Sequence, residues 1–389
     1  MDPNSNFQQV CKKGIFAHAL GVFLRLENRT MAKFHTLNVK DIRKETDKCV
    51  SIAFDVPEEL NEDFRFEHGQ YITLKMDVNG EELRRSYSIC SSPIEDELRV
   101  AVKKVENGRV SGKVVDQLQI GDALEVMTPM GNFTTQLNAE NTKHFIAFAG
   151  GSGITPIISI LKTALRIEPK SRFTLFYGNT DKENIIFNDQ LEQLKEKYGE
   201  RLNVQHILSK VELEDALFSG HIDAEKAIEL LKKFVEDDQQ YKEYFICGPE
   251  PMMLNVSDAL EKLGVDKERI HIELFTSPVG KKDESVEKPP VNVSEGMSQV
   301  TVILDGEEQV IEMPMNGDAI LDVALANGVD VPFACKGAVC CTCKAKVMEG
   351  KVRMELNYAL SDQEVEEGFV LTCQSHPETP RVIVDYDEG

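Results

Sequence analysis

Tryptophan is absent from this 389-residue sequence, and aromatic residues make up only 7% of it. Valine, isoleucine, leucine and phenylalanine must therefore supply most of the core volume. Basic residues are also few, because 44 Lys and Arg stand against 66 Asp and Glu and give a net charge of −22. A nucleic-acid-binding protein needs positive surface to neutralise phosphates, so the composition argues against that class. A protein partner that docks by charge should present a basic patch.

The sequence also lacks any apolar run of the ~20 residues that a membrane helix requires. The longest N-terminal candidate, residues 14–24, is short and contains His18. Arg25, Glu27 and Arg29 follow it in place of a small-residue cleavage site, so a secretory signal is not indicated. We therefore expect no membrane insertion, a cytoplasmic location and an N-terminal extension over residues 1–33.

A disulfide framework is not indicated either, because the number of cysteines is odd. Four of them crowd into residues 335–343, and in a cytosolic chain such clustering points to a metal site. The cysteines are Cys11, Cys49, Cys90, Cys247, Cys335, Cys340, Cys341, Cys343 and Cys373.

Hydrophobic periodicity divides the chain into three domains. Residues 34–140 contain short alternating runs between turn signals, which predicts an antiparallel β-barrel. In residues 141–277 apolar runs alternate with helical stretches, which predicts an α/β domain with a parallel sheet. Residues 278–297 are polar and rich in Pro, Lys and Glu, as is typical of a linker. Residues 298–389 begin with a strand and contain a predicted helix from about Ala319 to Ala326, so the fold class is multidomain.

The spacing of four cysteines is the strongest chemical signal. Cys335, Cys340 and Cys343 are separated by four and two residues, and Cys373 follows after 29 more. This is the spacing of plant-type [2Fe–2S] ligands, whereas structural zinc prefers paired C-x2-C units. Cys341 does not fit the spacing, and we predict that it is a packed thiol and not a ligand.

The residues around these cysteines resemble the plant-type ferredoxin family. Residues 331–334 read Val-Pro-Phe-Ala before the loop, and residues 370–374 read Val-Leu-Thr-Cys-Gln around the last ligand. The resemblance covers residues 298–389 and implies an α+β, β-grasp-like domain.

A four-residue motif on a predicted strand indicates a flavin site. In Arg85-Ser86-Tyr87-Ser88, strand alternation places Arg85 and Tyr87 on one face and both serines on the other. An arginine beside an aromatic ring can hold a phosphate while the ring stacks on a flat cofactor. Taken alone, such a motif is typical of a plain surface strand, so its neighbours decide the interpretation.

Those neighbours complete a known pattern. His68-Gly-Gln-Tyr71 precedes the motif, and residues 108–112 follow it just before a predicted helix over Lys113–Leu118. A Ser/Gly turn at a helix N-terminus offers free N–H groups to a pyrophosphate. In this order the set resembles the FAD domain of the ferredoxin–NADP reductase superfamily. The resemblance implies that Arg85 contacts the pyrophosphate, Tyr87 stacks on the isoalloxazine and Ser88 lies near its N5. It further implies FAD-binding roles for Ser86, Val102, Lys103 and Ser111.

A glycine-rich turn between a predicted strand and a predicted helix indicates a dinucleotide site. Residues 149–156 read Ala-Gly-Gly-Ser-Gly-Ile-Thr-Pro, and glycines there let the backbone approach a pyrophosphate. The turn differs from G-x-G-x-x-G and resembles the superfamily's own nicotinamide motif, as does Cys247-Gly248-Pro249. The resemblance implies that the nucleotide is held by Gly150, Gly151, Gly153, Thr155, Pro156, Gly248 and Pro249.

The same resemblance assigns the hydride-transfer pocket. It implies that Cys247 and Glu273 shape this pocket beside Ser88, and that Phe275 lies against the flavin until nicotinamide displaces it. The alternatives are a buried structural thiol for Cys247 and a core strand residue for Phe275.

The choice between NADH and NADPH stays open. Thr180 stands where many relatives of this superfamily carry an arginine that can pair with a 2′-phosphate. Lys182 can substitute for that arginine, whereas Asp181 disfavours a phosphate.

The order of FAD, nicotinamide and ferredoxin domains resembles the reductases of multicomponent oxygenases, and most closely those of phenylacetyl-CoA epoxidase systems. It implies electron transfer from NADH or NADPH through FAD and a [2Fe–2S] cluster to an oxygenase, here a di-iron epoxidase. Alternative acceptors are a desaturase, a Rieske oxygenase or a hybrid-cluster protein, and a further alternative is a non-catalytic redox sensor. The sequence does not indicate an oligomeric state.

Overall fold

The computed structural model describes residues 33–236, 241–275 and 296–388. The predicted N-terminal extension, apart from Lys33, and almost all of the predicted linker lie outside these residues. The described residues form three sheets of five or six strands and one two-stranded sheet. This arrangement confirms the predicted multidomain fold class. None of the described helices is both long and apolar enough to cross a membrane.

The first sheet is antiparallel, with the strand order β4-β3-β6-β1-β2-β5. Its strands are β1 (Phe34–Thr46), β2 (Cys49–Asp55), β3 (Tyr71–Val78), β4 (Glu81–Ser88), β5 (Leu98–Lys103) and β6 (Ala123–Met127). A bridge between Ile89 and Val100 joins the two edges and closes the sheet into a barrel. Asn79 and Gly80 both have positive φ, as the tight turn between β3 and β4 requires. Helix α1 (Arg109–Gln117) begins earlier than the sequence predicted.

The second sheet is parallel, with the order β11-β10-β7-β8-β9. Its strands are β7 (Lys143–Gly150), β8 (Arg172–Asn179), β9 (Leu202–Leu208), β10 (Tyr241–Cys247) and β11 (Ile270–Glu273). Its helices are α2 (Ile154–Ile167), α3 (Asn188–Tyr198), α4 (Ala224–Phe234) and α5 (Glu250–Lys262). Helices α2 and α3 pack into the core on one face, and α4 and α5 pack into the core on the other. The strand order reverses between the parallel neighbours β7 and β10, and ligands of such sheets bind at the carboxyl ends of the strands beside this switch point.

The third sheet is mixed, with the order β13-β12-β18-β14-β16, and β12 is parallel to β18. Its strands are β12 (Met297–Leu304), β13 (Glu307–Pro314), β14 (Lys344–Glu349), β16 (Phe369–Leu371) and β18 (Arg381–Asp385). A small separate sheet pairs β15 (Val352–Met354) with β17 (Ser375–Pro377). The helices of this domain are α6 (Ile320–Ala326) and α7 (Asp362–Glu366).

Short 3₁₀ turns connect several of these elements. They span Glu58–Leu60, Gly151–Gly153, Lys182–Asn184, Gly199–Arg201, Ala216–Phe218, Lys267–Arg269 and Thr372–Gln374.

The barrel packs against both other domains. Ala101 and Phe133 from the barrel segment belong to the core that contains α2 and α3. Tyr71 of β3 belongs instead to the core of the third domain, where Met130 packs beside it. The barrel is therefore the central domain, in contact with the other two.

Candidate redox site

The four predicted cluster ligands converge as two pairs of thiols. Cys340 Sγ donates to Cys335 Sγ at 3.1 Å, and the thiols of Cys343 and Cys373 are hydrogen-bonded to each other. Among the described residues, no three or more His, Cys, Asp or Glu side chains are grouped closely enough to hold a single metal ion. Two pairs of thiols are what a binuclear cluster needs, because each of its irons takes two cysteine ligands. The arrangement therefore fits a [2Fe–2S] cluster.

The backbone of the loop is shaped to face these sulfurs. Lys336 and Ala338 both have positive φ, a conformation that non-glycine residues rarely adopt outside special sites. The N–H of Gly337 donates to Cys335 Sγ at 3.3 Å. The hydrogen bond from the Cys340 thiol and those from nearby backbone N–H groups lower the pKa of Cys335 to about 6. The loop is thus built to stabilise negative charge on sulfur, as a thiolate-ligated cluster requires.

Cys341 is buried, as the sequence analysis predicted for a packed thiol. Its neighbour across the domain boundary is Tyr71 of the barrel, and their Oη and Sγ atoms are 3.3 Å apart. Burial raises the pKa of the Cys341 thiol, the hydrogen bond with Tyr71 and the charge of Lys344 oppose this shift, and Glu273 adds to it when ionised. The cluster loop therefore lies near both the barrel and the end of β11.

The flavin motif lies at the end of β4, with its side chains alternating as predicted. Arg85 is exposed and Tyr87 is half-buried, whereas Ser88 is buried. Ser86 makes a cross-strand hydrogen bond of 3.1 Å to Thr73. Burial raises the pKa of Tyr87 to about 12, and the nearby Arg85 charge opposes the shift. An exposed guanidinium next to a partly exposed ring fits a cofactor that carries a pyrophosphate and a flat ring.

The other predicted FAD-binding residues differ in which of their groups are free to face a cofactor. The side chain of Val102 is fully buried in the barrel core, so only its backbone can face a cofactor. The Lys103 amino group lies 3.5 Å from where a Cβ on Gly151 would stand. The Ser111 hydroxyl already accepts a hydrogen bond from the N–H of Val105. Near Ser111, the groups left to face a pyrophosphate are the backbone N–H groups in the first turn of α1. These assignments stay predictions.

The predicted nicotinamide loops lie against each other at the switch point of the parallel sheet. A Cβ on Gly153 would be 2.0 Å from the carbonyl oxygen of Cys247, and one on Gly150 would be 2.4 Å from Pro249 Cδ. A Cβ on Gly248 would be 2.8 Å from the backbone N of Gly150. Glycine at all three positions allows the turn at residues 150–153 and the segment at residues 247–249 to lie against each other, and we call this arrangement the glycine cradle. Side chains at these positions would fill it. This geometry fits a dinucleotide bound against backbone at the start of α2.

Several side chains hold this cradle in place. The Thr155 hydroxyl donates to the carbonyl of Ser152 at 3.0 Å, and Pro156 follows in the first turn of α2. The Tyr177 hydroxyl donates to the carbonyl of Gly151 at 2.9 Å. Tyr177 was not singled out as a site residue, because a tyrosine in a buried strand carries no sequence signal for this hydrogen bond.

Cys247 and Glu273 are brought together by the sheet. They are register partners at the ends of β10 and β11. Burial raises the pKa of Glu273 to about 8, and burial also raises the pKa of the Cys247 thiol. Phe275 lies two residues beyond Glu273 and is 39% exposed. The structure thus assembles the predicted pair, while the aromatic residue is accessible for a planar partner.

Arg84 is a second residue that the sequence analysis missed. Its guanidinium lies 4.2 Å from the ring centroid of Phe333 and 2.9 Å from the carboxylate of Asp330, both in the third domain. The side chain of Arg84 is only 5% exposed. Its position beside Arg85 in the motif gave no indication that it faces another domain.

Comparison with protein families matches three successive regions of the chain. Residues 36–135 match the "Oxidoreductase FAD-binding domain" family, and residues 147–258 match the "Oxidoreductase NAD-binding domain" family. Residues 302–378 match the "2Fe-2S iron-sulfur cluster binding domain" family. The predicted FAD, nicotinamide and [2Fe–2S] domains are confirmed in this order.

Two curated relatives cover nearly the whole chain. A component of 1,2-phenylacetyl-CoA epoxidase from Escherichia coli (strain K12) is 44% identical over 357 residues, which span 92% of this chain and 99% of that protein. The ferredoxin reductase component of 3-ketosteroid-9-alpha-monooxygenase from Rhodococcus rhodochrous is 36% identical and covers 90% and 96% of the two chains.

Solved structures share the fold at lower identity. Phthalate dioxygenase reductase is 24% identical with a TM-score of 0.55, and the match covers 90% of this chain and 98% of that one. An intact type IV self-sufficient cytochrome P450 monooxygenase is 20% identical with a TM-score of 0.65, and the match covers 90% of this chain and 41% of that one.

Proposed function

Because this chain belongs to the family of FAD- and [2Fe–2S]-containing reductases that serve oxygenases, we propose that its acceptor is a di-iron epoxidase of the phenylacetyl-CoA epoxidase type. The chain is an oxidoreductase that passes electrons from NAD(P)H through FAD and a [2Fe–2S] cluster to an oxygenase. The observation that supports the epoxidase is the 44% identity to a component of 1,2-phenylacetyl-CoA epoxidase over 99% of that protein. We also propose a cytoplasmic location.

Bound FAD accepts a hydride as an electron pair and releases electrons one at a time, which is the chemistry that neither nicotinamide nor cluster can supply alone. The residues of this chain position the partners of that reaction. We propose that the nucleotide binds against the protein backbone in the glycine cradle at Gly150 and Gly153. We also propose that Cys247 and Glu273 border the hydride-transfer pocket. Cys247 is fully buried, and the low solvation of Glu273 raises the pKa of its carboxyl to about 8.

The flavin side of the pocket is formed by β4. We propose that Arg85 pairs with the pyrophosphate, that Tyr87 stacks on the flavin ring and that Ser88 lies beside its reactive edge. Ser88 is the register partner of Tyr71, which reaches the cluster loop. The four thiolates that would hold the cluster are Cys335, Cys340, Cys343 and Cys373.

The nucleotide preference depends on the residues after β8. Asp181 accepts hydrogen bonds from the side chain and the backbone N–H of Asn184, which lower its pKa and keep it negatively charged. The negative charge of Asp181 favours NADH as the substrate, whereas the positive charge of Lys182 beside it favours NADPH. Anaerobic titration with each nucleotide, monitored by flavin bleaching and by loss of cluster absorbance, decides between the two. The limits 34–140, 141–277 and 298–389 for the three domains stay predictions.

Reconstitution with purified oxygenases tests the proposed acceptor. We expect NAD(P)H-dependent epoxidation when this chain replaces the reductase of a phenylacetyl-CoA epoxidase, together with co-purification of the di-iron protein. The second candidate is a steroid monooxygenase, which the 36% identical relative supports. Turnover with that oxygenase but not with the epoxidase would reverse the assignment. Reduction of cytochrome c by the same preparation shows that the reductase itself is active.

A further inference from the structure

A tyrosine hydroxyl from the barrel lies at the centre of the contact with the cluster loop. Tyr71 Oη is 3.1 Å from the backbone N of Cys341, 3.3 Å from its Sγ and 3.2 Å from Thr342 Oγ1. Cys341 and Thr342 stand in sequence between the predicted ligands Cys340 and Cys343. The contact therefore reaches the part of the loop that would hold both irons.

The donor and acceptor roles make this contact directional. A backbone N–H can only donate, so Tyr71 Oη accepts from Cys341. The tyrosine proton is then available for Thr342 Oγ1 or Cys341 Sγ. The tyrosine side chain is only 4% exposed, so its hydroxyl group has no access to water as a substitute partner. Removal of the tyrosine hydroxyl would therefore leave the buried N–H of Cys341 without a hydrogen-bond acceptor.

The tyrosine is itself fixed in the barrel. Its backbone exchanges two hydrogen bonds with Met130, of 2.8 and 2.9 Å. A Cβ on Gly131 would stand 3.0 Å from the tyrosine ring, so glycine at this position leaves room for the ring. Its cross-strand partner is Ser88 at the end of the flavin motif. A rigid connection thus runs from the flavin-binding strand to the cluster loop.

Among the described residues, each of the other polar contacts between these two domains has at least one partner that faces the solvent. Asp330, which pairs with Arg84, has a side chain that is 79% exposed. Asn132 bonds to the carboxylate of Glu364 at 3.2 Å in an exposed position. Exposed polar pairs contribute little to binding, whereas buried central contacts dominate it. Tyr71 is therefore the polar contact of this interface in which both sides are buried.

We propose that Tyr71 is a positioning residue for the transfer of electrons from flavin to cluster. It holds the loop at residues 340–343 in one orientation relative to the strand that carries Ser88. The transfer moves one electron at a time and makes or breaks no bond, so its rate depends on the distance and orientation that this contact sets. The proposal rests on the electron-transfer function described above.

Replacement of the hydroxyl alone tests the proposal. In Tyr71→Phe the ring still packs, but the Cys341 N–H loses its acceptor. We expect amide hydrogen exchange at residues 339–343 to become about tenfold faster. In anaerobic single-turnover measurements we expect cluster reduction to slow by roughly three- to tenfold, while flavin reduction by NAD(P)H is unchanged. Exchange in the loop is independent of turnover.

Tyr386→Phe is the matched control. The Tyr386 hydroxyl is also buried and donates to Thr372 Oγ1 at 2.8 Å, beside the predicted ligand Cys373 but within the third domain. We expect this variant to leave exchange at residues 339–343 unchanged. Equal slowing of cluster reduction by both variants would overturn the proposal, because it would indicate general loosening of the domain.

A second variant covers the case in which Tyr71→Phe fails to retain iron or FAD. Thr342→Val removes one partner of the tyrosine while keeping the shape of the side chain. We expect a smaller effect in the same direction, and effects in the double variant that are less than additive. Wild-type rates of cluster reduction together with wild-type exchange in either single variant would refute the role of Tyr71. Failure of the wild type to reduce its flavin would instead refute the electron-transfer function.

Discussion

Replacement of Gly153 by alanine should damage the nucleotide site and leave the flavin and cluster sites intact. The new Cβ would stand 2.0 Å from the carbonyl oxygen of Cys247 and 2.8 Å from the backbone N of Gly248. Ordinary contact begins at 3.4 Å, so the two loops would have to separate by about 1.4 Å. Both neighbours are backbone atoms, which cannot rotate away as a side chain can.

The expected magnitude follows from this displacement. Forcing an extra carbon into a packed site costs about 1–3 kcal/mol. The free variant relieves this strain by separating the two loops, so nucleotide binding has to restore the strained geometry and weakens by that amount, which is roughly a five- to 150-fold change in the dissociation constant. We expect half-saturation by NAD(P)H to shift by that factor in anaerobic stopped-flow flavin reduction. FAD absorbance and iron content should match the wild type, because neither the barrel nor the cluster loop is touched.

Gly178→Ala is the matched control for this experiment. Gly178 lies at the end of β8 in the same sheet, and a Cβ there would make ordinary contacts of 3.5 Å with Ile222 and 3.7 Å with Ala149. We expect a change of about twofold or less in half-saturation. Wild-type flavin reduction in Gly153→Ala, or equal damage in Gly178→Ala, would contradict the assignment of the cradle to the nucleotide.

Three further predictions concern single side chains. Cys335→Ser should abolish the cluster while FAD stays bound, whereas Cys341→Ser should retain iron, as iron analysis and visible spectra will show. Asp181→Asn should improve the ratio of kcat/KM for NADPH over NADH by about two- to tenfold, because a negative charge near the 2′-phosphate is removed; an unchanged ratio would place the 2′ position elsewhere. Glu273→Gln should gain stability relative to the wild type as the pH rises from 5 to 8. The folded pKa of about 8 lies above the unfolded value of 4.5, so the wild type alone loses stability across this window; parallel Tm curves for both proteins would refute the shift.

Periodicity and motif order predicted the three domains, because both are local properties of the sequence. The prediction that the flavin motif lies on a strand is correct, because β4 spans Glu81–Ser88. The start of α1 was predicted four residues late, at Lys113 in place of Arg109. Gly108 and Gly112 flank that first turn, and glycine is a poor helix former that is more typical of turns.

The contacts between domains could not be predicted in this way. Tyr71 has the alternation of an ordinary barrel strand residue, yet its ring belongs to the core of the third domain. Arg84 stands beside the flavin motif, yet its guanidinium contacts Phe333. Two folded domains meet at surfaces of complementary shape. Such surfaces combine residues that are far apart in the chain, so they leave no regular period or motif spacing in a single sequence.

The position of the barrel between the other two domains explains why the redox groups can meet. Glu273 ends the outer strand of the parallel sheet, and it lies near enough to the thiols of both Cys247 and Cys341 to raise the pKa of each when its carboxyl is ionised. Tyr71 connects the partner strand of Ser88 to that same cysteine. The glycine cradle proposed to bind the nucleotide, the strand β4 that carries the flavin motif and the loop of the predicted cluster ligands therefore lie close to one another. A flavin that receives an electron pair from a nucleotide and passes single electrons to a cluster needs both of them nearby, and the central barrel contacts both of the domains that would bind them.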